Sequence, residues 1–346
     1  MKFMMVLILV FLNSLASNSY AQKTKELVLY NWKDYTDKSV IEDFEKKTGI
    51  KVILREYETV DMMLSEVQSD PASFDVIVAT DVSASLLIQS KLLTELDLNK
   101  IPNRKYIKKQ FRGFAMDPVN KYSLTGIFWY ATGLVINTNF VSEDVDAWAG
   151  LWEKKYQGKI ALLDDCRDAM AAVLKYSRLS LNSDNPQELE LAEKNAGLLR
   201  DNRVKFGDTL GNLEKVMRGE LWISQVYSGD AALKSKESKD IKFIFPQEGF
   251  NLGTDIYVIS VDSKHVAEAH QLINFFLEPQ NAARAATTFF YPTTVEAEQL
   301  LSKEFLNNPV IYPPQSILKK GEHFRDLGAK ENEYVRIFNL MKSGAN

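Results

Sequence analysis

The sequence is short of the residues that cross-link a chain or bind metal. It contains one cysteine, Cys166, so an internal disulfide cannot form. Its three histidines, His265, His270 and His323, do not stand at metal-ligand spacing. A lone cysteine with scattered histidines argues against a zinc or iron–sulfur site. We therefore expect a protein that uses no metal and no cofactor.

An excess of positive charge is also missing. The 42 Lys and Arg residues are outnumbered by 46 Asp and Glu residues, which gives a formal net charge of −4. Nucleic-acid-binding surfaces are basic, so this balance argues against a nucleic-acid partner. Beyond the N-terminal segment, no stretch approaches the ~20 apolar residues that cross a bilayer. We expect that part of the chain not to span a membrane.

The N-terminal segment has the pattern of a secretory leader. Lys2 gives a positive start, and residues 3–12 form an apolar run. This run is too short for a transmembrane anchor, which was the alternative interpretation. Ser19 and Ala21 provide the small residues that precede signal-peptidase cleavage. We therefore expect residues 1–21 to be a signal peptide and the rest of the chain to be exported.

Helical and strand-like patterns alternate along the rest of the chain, which predicts α/β layers with mainly parallel sheets. About 325 residues suggest one large domain or two of ordinary size. No repeat or flexible linker is visible, so two lobes would be joined by strands, with a hinge and a cleft. The predicted strands cover residues 26–30, 51–55, 74–79, 128–136, 159–163, 221–226, 241–245 and 255–261. The predicted helices cover residues 37–48, 60–67, 169–181, 190–200, 267–277 and 280–288.

Aromatic side chains follow the first predicted strand. Trp32 and Tyr35 come directly after residues 26–30. In open parallel α/β sheets, ligands bind beyond the carboxyl ends of the strands, so these two side chains are candidates to meet a ligand. The alternative is that both pack beneath the following helix, because aromatic residues are common in cores.

Acidic side chains follow another predicted strand. Asp164, Asp165 and Asp168 come after residues 159–163. If a helix begins there, Asp165 and Asp168 lie one turn apart on one face. Such a group could attract a cation, but acids also favour helix N-termini, and the capping interpretation is the stronger one for this motif taken alone.

Further acids and aromatics recur at strand ends and turns. Tyr227 and Asp230 follow residues 221–226, Asp255 opens a strand, and Tyr291 lies in a turn between helices. An alkyl diammonium needs this combination. Carboxylates accept charge-assisted hydrogen bonds from its ammonium groups. Aromatic rings cover its methylene chain and add cation–π attraction of ~0.5–2 kcal/mol each.

These residues fall in segments that resemble the periplasmic spermidine/putrescine-binding proteins of ABC transporters. The segments are LVLYNWKDYT (27–36), FEKKTGIKV (44–52), FDVIVAT (74–80), WYATGLVIN (129–137), ALLDDCRDAM (161–170), YSGDAA (227–232), YPTT (291–294) and GEHFRDLGA (321–329). The resemblance implies a two-lobed periplasmic-binding-protein (Venus-flytrap) fold of α/β class, with a hinge and a central ligand cleft. It places lobe 1 at residues 26–136 and 255–300, and lobe 2 at residues 137–254 and 301–346.

The resemblance also implies a binding role for individual residues. Asp255 resembles the family's central aspartate, which grips an amino group, and we expect its loss to be the most damaging single change. To the implied set we add Asp34, as the acid that could face the middle of the cleft. The expected ligand-binding residues are Trp32, Asp34, Tyr35, Thr80, Asp165, Asp168, Tyr227, Asp230, Asp255 and Tyr291.

Four positions depart from the family pattern. Lys33, Val82, Gly253 and Phe324 stand where the family often has a Thr, an aromatic residue, a Trp and a Gln. We expect Lys33 to point away from a cationic ligand. Because the other three positions lose aromatic or amide contacts for a longer chain, we expect putrescine to bind at least as tightly as spermidine.

The implied function is capture of a polyamine (putrescine and/or spermidine) in the periplasm and its delivery to ABC transporter permease subunits in the inner membrane, by a monomer. Three alternatives remain open from the sequence. The same fold could bind ferric ion or another solute, because fold does not fix the ligand. The chain could also be a polyamine sensor on the same fold. A hydrolase using Asp165 and Asp168 is disfavoured, because no catalytic motif accompanies the acids.

Overall fold

The computed structural model describes residues 25–141 and 144–343. The expected signal peptide at residues 1–21 lies outside these residues. The strands are β1 (Lys25–Trp32), β2 (Ile50–Tyr57), β3 (Val76–Thr80), β4 (Ser123–Asn137), β5 (Ile160–Leu163), β6 (Lys205–Gly207), β7 (Ile223–Tyr227), β8 (Ile241–Ile244), β9 (Phe250–Ile259) and β10 (Gly321–Glu322).

Helices alternate with these strands, as the sequence pattern predicts. They are α1 (Lys38–Thr48), α2 (Val60–Ser69), α3 (Asp81–Gln89), α4 (Cys166–Tyr176), α5 (Pro186–Asp201), α6 (Thr209–Met217), α7 (Ser228–Lys234), α8 (Val266–Phe276), α9 (Pro279–Phe289), α10 (Lys303–Leu306), α11 (Gln315–Leu318) and α12 (Glu331–Lys342). Within residues 25–141 and 144–343, none of these helices is long and apolar enough to cross a membrane.

The strands form one continuous ladder in the order β2-β1-β3-β9-β4-β7-β5-β6, with β10 beside β9 and β8 beside β4. Pairing is parallel among β1, β2 and β3 and among β5, β6 and β7. The central strands β9 and β4 pair antiparallel with each other and with β3 and β7. The expectation of mainly parallel sheets therefore needs correction. Parallel pairing holds at each end of the ladder, and two antiparallel strands join the ends.

Separate hydrophobic cores lie at the two ends of the ladder. At one end, β1–β3 are covered by α1, α8 and α9 on one face and by α2 and α3 on the other. At the other end, β4–β7 pack against α4, α5 and α12 on one face and against α6 and α7 on the other. Strand β4 contributes Leu124 to the first end and Leu134 to the second. The chain therefore passes between two lobes through strands.

Local sequence signals set the ends of the helices near the cleft. Asp37 caps α1 by accepting hydrogen bonds from the amides of Ser39 and Val40, and Gly49 ends the helix in the left-handed region at φ 70°. Thr80 ends β3 and also caps α3, with Ser83 bonding back to the Thr80 amide at 2.9 Å. Because Thr80 both ends a strand and begins a helix, Asp81 is held at the cleft edge of the sheet.

Candidate functional site

Asp255 lies where the two lobes meet. It is in β9, directly opposite Thr80 of β3, so both residues stand at the carboxyl end of β3. The Asp255 side chain is buried, with the residue 4% exposed. Burial raises the pKa of Asp255 to about 8, and a hydrogen bond from Tyr35 opposes the shift. This carboxylate would therefore bind a proton or a cation readily.

Aromatic rings surround the same end of the cleft. The Tyr35 ring lies 5.3 Å from each of the rings of Phe128, Phe289 and Tyr291, measured between centroids. Trp32 packs against Tyr57 at 4.4 Å. Both Trp32 and Tyr35 are half-buried, so they pack against the first lobe and still present part of their surface. Packing in the first lobe and contact with a ligand are therefore compatible for both side chains.

Asp165 and Asp168 lie at the N-terminus of α4. Asp165 caps the helix by accepting a hydrogen bond from the Asp168 amide at 3.0 Å. The Asp168 carboxylate accepts from the Tyr227 hydroxyl at 2.7 Å and from the Asn251 side-chain amide at 3.2 Å. Burial raises the pKa of both acids, and the charge of Asp165 adds to the rise at Asp168. The capping interpretation therefore holds for Asp165, and both acids remain candidates to attract a cation.

Asp230 and Tyr291 connect the two lobes. The Tyr291 hydroxyl donates to Asp230 at 2.8 Å. Tyr291 belongs to the first core, whereas Asp230 lies in α7 of the second lobe. A Cβ on Gly229 would come within 2.4 Å of the Tyr291 ring, so the ring needs glycine there. Burial raises the pKa of Asp230 to about 6.

The structure does not bring Asp34 together with the other candidates. Asp34 is exposed, at φ 55° in the turn after β1, and its amide donates to Glu56 at 3.0 Å. The neighbouring Lys33 forms an ion pair with Glu58 at 2.5 Å. Both of these residues are exposed, so the Lys33 ammonium is engaged outside the acidic cluster.

The sequence analysis missed a further acid, Asp81. It is the first residue of α3, directly after Thr80, and it is half-buried. Its carboxylate accepts from the Val82 amide at 3.0 Å, and burial raises the pKa of Asp81 to about 7. The signal was its position beside Thr80, but a first-turn acid has an ordinary explanation as a helix-stabilising charge.

Tyr130 is a second missed residue. It stands opposite Gly253 in the β4–β9 pair, and its ring fills the space there, since a Cβ on Gly253 would lie 2.2 Å from it. The Tyr130 ring meets the Tyr227 ring edge-on at 5.2 Å. Burial, and then the charges of four acids, raise the pKa of Tyr130; these acids are Asp81, Asp168, Asp255 and Asp165. Only the strand register reveals this central position.

The cleft therefore holds five acids with raised pKa values, interleaved with tyrosines. Within residues 25–141 and 144–343, none of these five carboxylates forms an ion pair with a Lys or Arg side chain at 4.0 Å or less. The same residues contain no group of three or more metal-ligating side chains that could hold a metal ion. Carboxylates held away from water without a basic partner are costly, so a bound cation would stabilise this site. The five acids are Asp81, Asp165, Asp168, Asp230 and Asp255.

A two-lobed α/β fold with such a cleft defines a solute-binding protein. The chain belongs to the bacterial extracellular solute-binding protein family, whose sequence model matches residues 39–312. Members of this family and the relatives of the chain are binding proteins, so the chain is not an enzyme and the hydrolase alternative is not favoured.

Similar proteins of known name agree with this class. The spermidine/putrescine-binding periplasmic protein of Escherichia coli strain K12 is 30% identical over 332 residues, which cover 95% of this chain and 94% of that one. The spermidine/putrescine-binding periplasmic protein 1 of Haemophilus influenzae is 31% identical, covering 91% and 88%. A solved putative spermidine/putrescine ABC transporter protein from Listeria monocytogenes superposes with a TM-score of 0.84 at 32% identity, covering 92% and 99%.

Proposed function

We propose that this protein captures a polyamine, putrescine and/or spermidine, in the cleft between its lobes and delivers it to an ABC transporter. The observation that carries the proposal is the set of five buried or half-buried acids, which have no Lys or Arg ion-pair partner among the described residues and are separated by aromatic rings. A polyamine would complement this set, because its ammonium groups carry the positive charge that the acids lack as a partner. Its apolar methylene chain would pack against the aromatic rings. The names of the relatives support the same ligand class.

The arrangement of the acids favours an elongated ligand. Asp255 stands near one end of the cleft, and Asp168 near the other, with the Tyr130 ring between them. Asn251, which bonds to Asp168, precedes Asp255 by four residues in β9, a separation of about 13 Å along a strand. A compact metal ion could not contact both ends, whereas a flexible diamine or triamine could approach both.

We propose the expected residue set without Asp34, which is exposed in the turn after β1, and with Asp81 and Tyr130 added, as the binding site. Asp255 would hold one amino group, and Asp165 with Asp168 another. Tyr35, Tyr227 and Tyr291 would cover the chain between them, and Asp230 would support Tyr291 through their hydrogen bond.

The setting of the protein is also a proposal. We propose a periplasmic protein, exported by a cleaved signal peptide at residues 1–21, that works as a monomer with inner-membrane permease subunits. The lobes would divide near residues 26–136 with 255–300 and residues 137–254 with 301–346. Leu301, Phe305 and Ile311 pack in the core of the first lobe, which supports moving that last boundary to about residue 311.

A ligand panel tests the function. Purified protein would be screened by thermal shift and then by calorimetry with putrescine, spermidine, spermine, amino acids and ferric citrate. We expect saturable stabilisation by polyamines alone, with dissociation constants near the micromolar range, about −8 kcal/mol. Stabilisation by ferric citrate or by an amino acid, without a response to polyamines, would refute the proposal and favour another solute on the same fold.

A further inference from the structure

A row of three polar side chains crosses the sheet at one end of the cleft. Thr132 in β4 stands directly opposite Tyr227 in β7. On its other side, Tyr130 pairs with Gly253 and Ala131 with Leu252, so the same register brings Asn251 beside Thr132. Side chains at directly opposite positions point to the same face of a sheet. Asn251, Thr132 and Tyr227 therefore form one row.

Asp168 lies over this row. The two outer members both donate to its carboxylate, Tyr227 at 2.7 Å and Asn251 at 3.2 Å. The middle of the row is left unsatisfied. Among the residues that the structure describes, the Thr132 hydroxyl and the Asn251 side-chain carbonyl oxygen find no hydrogen-bond partner, and both residues are 0% exposed.

Unpartnered polar atoms at such depth need an explanation, because buried polar groups are nearly always hydrogen-bonded. The amide oxygen of Asn251 can only accept, and the Asp168 carboxylate accepts as well. The Thr132 hydroxyl can do either. Asp168, Thr132 and Asn251 thus present more hydrogen-bond acceptors than donors, and a group with several N–H bonds would satisfy them.

We propose that Thr132 and Asn251 join Asp168 in an acceptor set for one unsubstituted, primary ammonium group of the ligand. The assignment rests on the proposed polyamine function and adds its chemical selectivity. A primary ammonium carries three N–H donors, one for each of the three acceptors. A methyl group on that nitrogen replaces one donor and leaves one buried acceptor unpaired.

The chain offers a matched control for Thr132. The Thr254 hydroxyl is also buried, in a residue that is 2% exposed, and has no hydrogen-bond partner in the described part of the chain. Thr254 follows Gly253 in β9, so its side chain points to the face opposite the Asn251–Thr132–Tyr227 row. Thr132→Val and Thr254→Val remove the same hydroxyl with the same change of shape, and only the first touches the proposed acceptor set.

Calorimetry with putrescine at one pH and one salt concentration tests the assignment. We expect Thr132→Val to weaken binding about tenfold, Thr132→Ser to stay within threefold of the wild type, and Thr254→Val to bind like the wild type. Thermal unfolding without ligand would show that each variant folds. A wild-type affinity in Thr132→Val, or an equal loss in Thr254→Val, would overturn the assignment.

A second ligand separates selectivity from general damage. N,N′-dimethylputrescine carries a methyl group at both ends, so it cannot bind in reverse to avoid the acceptor set. We expect the wild type to prefer putrescine by more than tenfold and Thr132→Val to reduce this preference to about threefold or less. If the wild type and Thr132→Val prefer putrescine over N,N′-dimethylputrescine by the same factor, the assignment is overturned while polyamine binding stays intact. A wild type that binds neither these two amines nor spermidine would overturn the proposed function as well.

Discussion

The two ends of the cleft hold their carboxylates in different ways. Asp168 receives hydrogen bonds from Tyr227 and Asn251, so its position is fixed by donors from two strands. Asp255 is fixed by the β3–β9 register, by burial and by one hydrogen bond, which comes from Tyr35. The Asp168 end is therefore preorganised for an ammonium group. Burial raises the pKa at both ends, so both carry a desolvation cost that a cation would relieve, and the ends differ in the number of donors that hold the carboxylate.

The largest expected effect is at the Asp255 end. Asp255→Asn keeps the shape and removes the charge, and truncating one partner of a buried charge pair costs ~2–5 kcal/mol. Polyamine affinity measured by calorimetry should fall by more than tenfold. Without ligand, the same variant should unfold at a temperature equal to or above the wild-type value, because it no longer buries an acid. Unchanged affinity in a folded variant would remove Asp255 from the site.

The next effect is the pH dependence of binding. Burial raises the pKa of Asp255 to about 8 and that of Asp81 to about 7, so protons compete with the ligand below these values. Affinity should therefore rise with pH and be about tenfold or more greater at pH 8 than at pH 6, as each group contributes up to tenfold per pH unit. Titrations at a constant salt concentration would measure it. In Asp255→Asn the slope should be smaller, and an identical slope would contradict the assignment.

The same pKa values determine how the ligand-free protein responds to pH. A buried acid whose pKa is higher in the folded state binds protons more tightly there than in the unfolded chain. Its contribution to the free energy of unfolding therefore falls as pH rises from about 4 to about 8. The stabilisation by polyamine should increase over the upper part of this range, which thermal unfolding with and without ligand can check.

A smaller effect is expected between the two ends, at Tyr130. Tyr130→Ala removes the ring over Gly253, and with it a cation–π face worth ~0.5–2 kcal/mol. Polyamine affinity should fall about fivefold, whereas Tyr130→Phe, which keeps the ring, should stay within about twofold. If both variants lose the same affinity, the hydroxyl and not the ring is the contributing group.

The smallest effect is expected at Asp34, which has the same side chain as Asp255 but an exposed position. Asp34→Asn should change polyamine affinity by less than about twofold, because solvent and salt screen an exposed charge. Measured beside Asp255→Asn, it separates local contact from the general attraction of a negative protein for a cation. A tenfold loss at Asp34 would show that the turn after β1 moves onto the ligand.

The sequence predicted the α/β class and most elements, because apolar periodicity and capping residues such as Asp37 and Gly49 are local signals. It missed the helices α3, α6, α7, α10, α11 and α12 and the short strands β6 and β10. It also shortened β4 and β9, which extend to residues 123 and 250 to join the lobes. Asp81 and Tyr130 escaped notice for a related reason. Their place in the cleft depends on which strands are neighbours, which no local pattern contains.

Gly229 sets a steric condition for the contact between the two lobes at Tyr291, and this condition does not depend on charge. Tyr291 reaches Asp230 only because no methyl group projects from position 229. A single added carbon there would act as a wedge, holding the two lobes a small distance apart while leaving every acid in place. The protein would then keep its attraction for cations but lose the enclosure that excludes water from them. We therefore expect retention of a captured solute to depend on the hydrogen atom at position 229 as well as on the carboxylates.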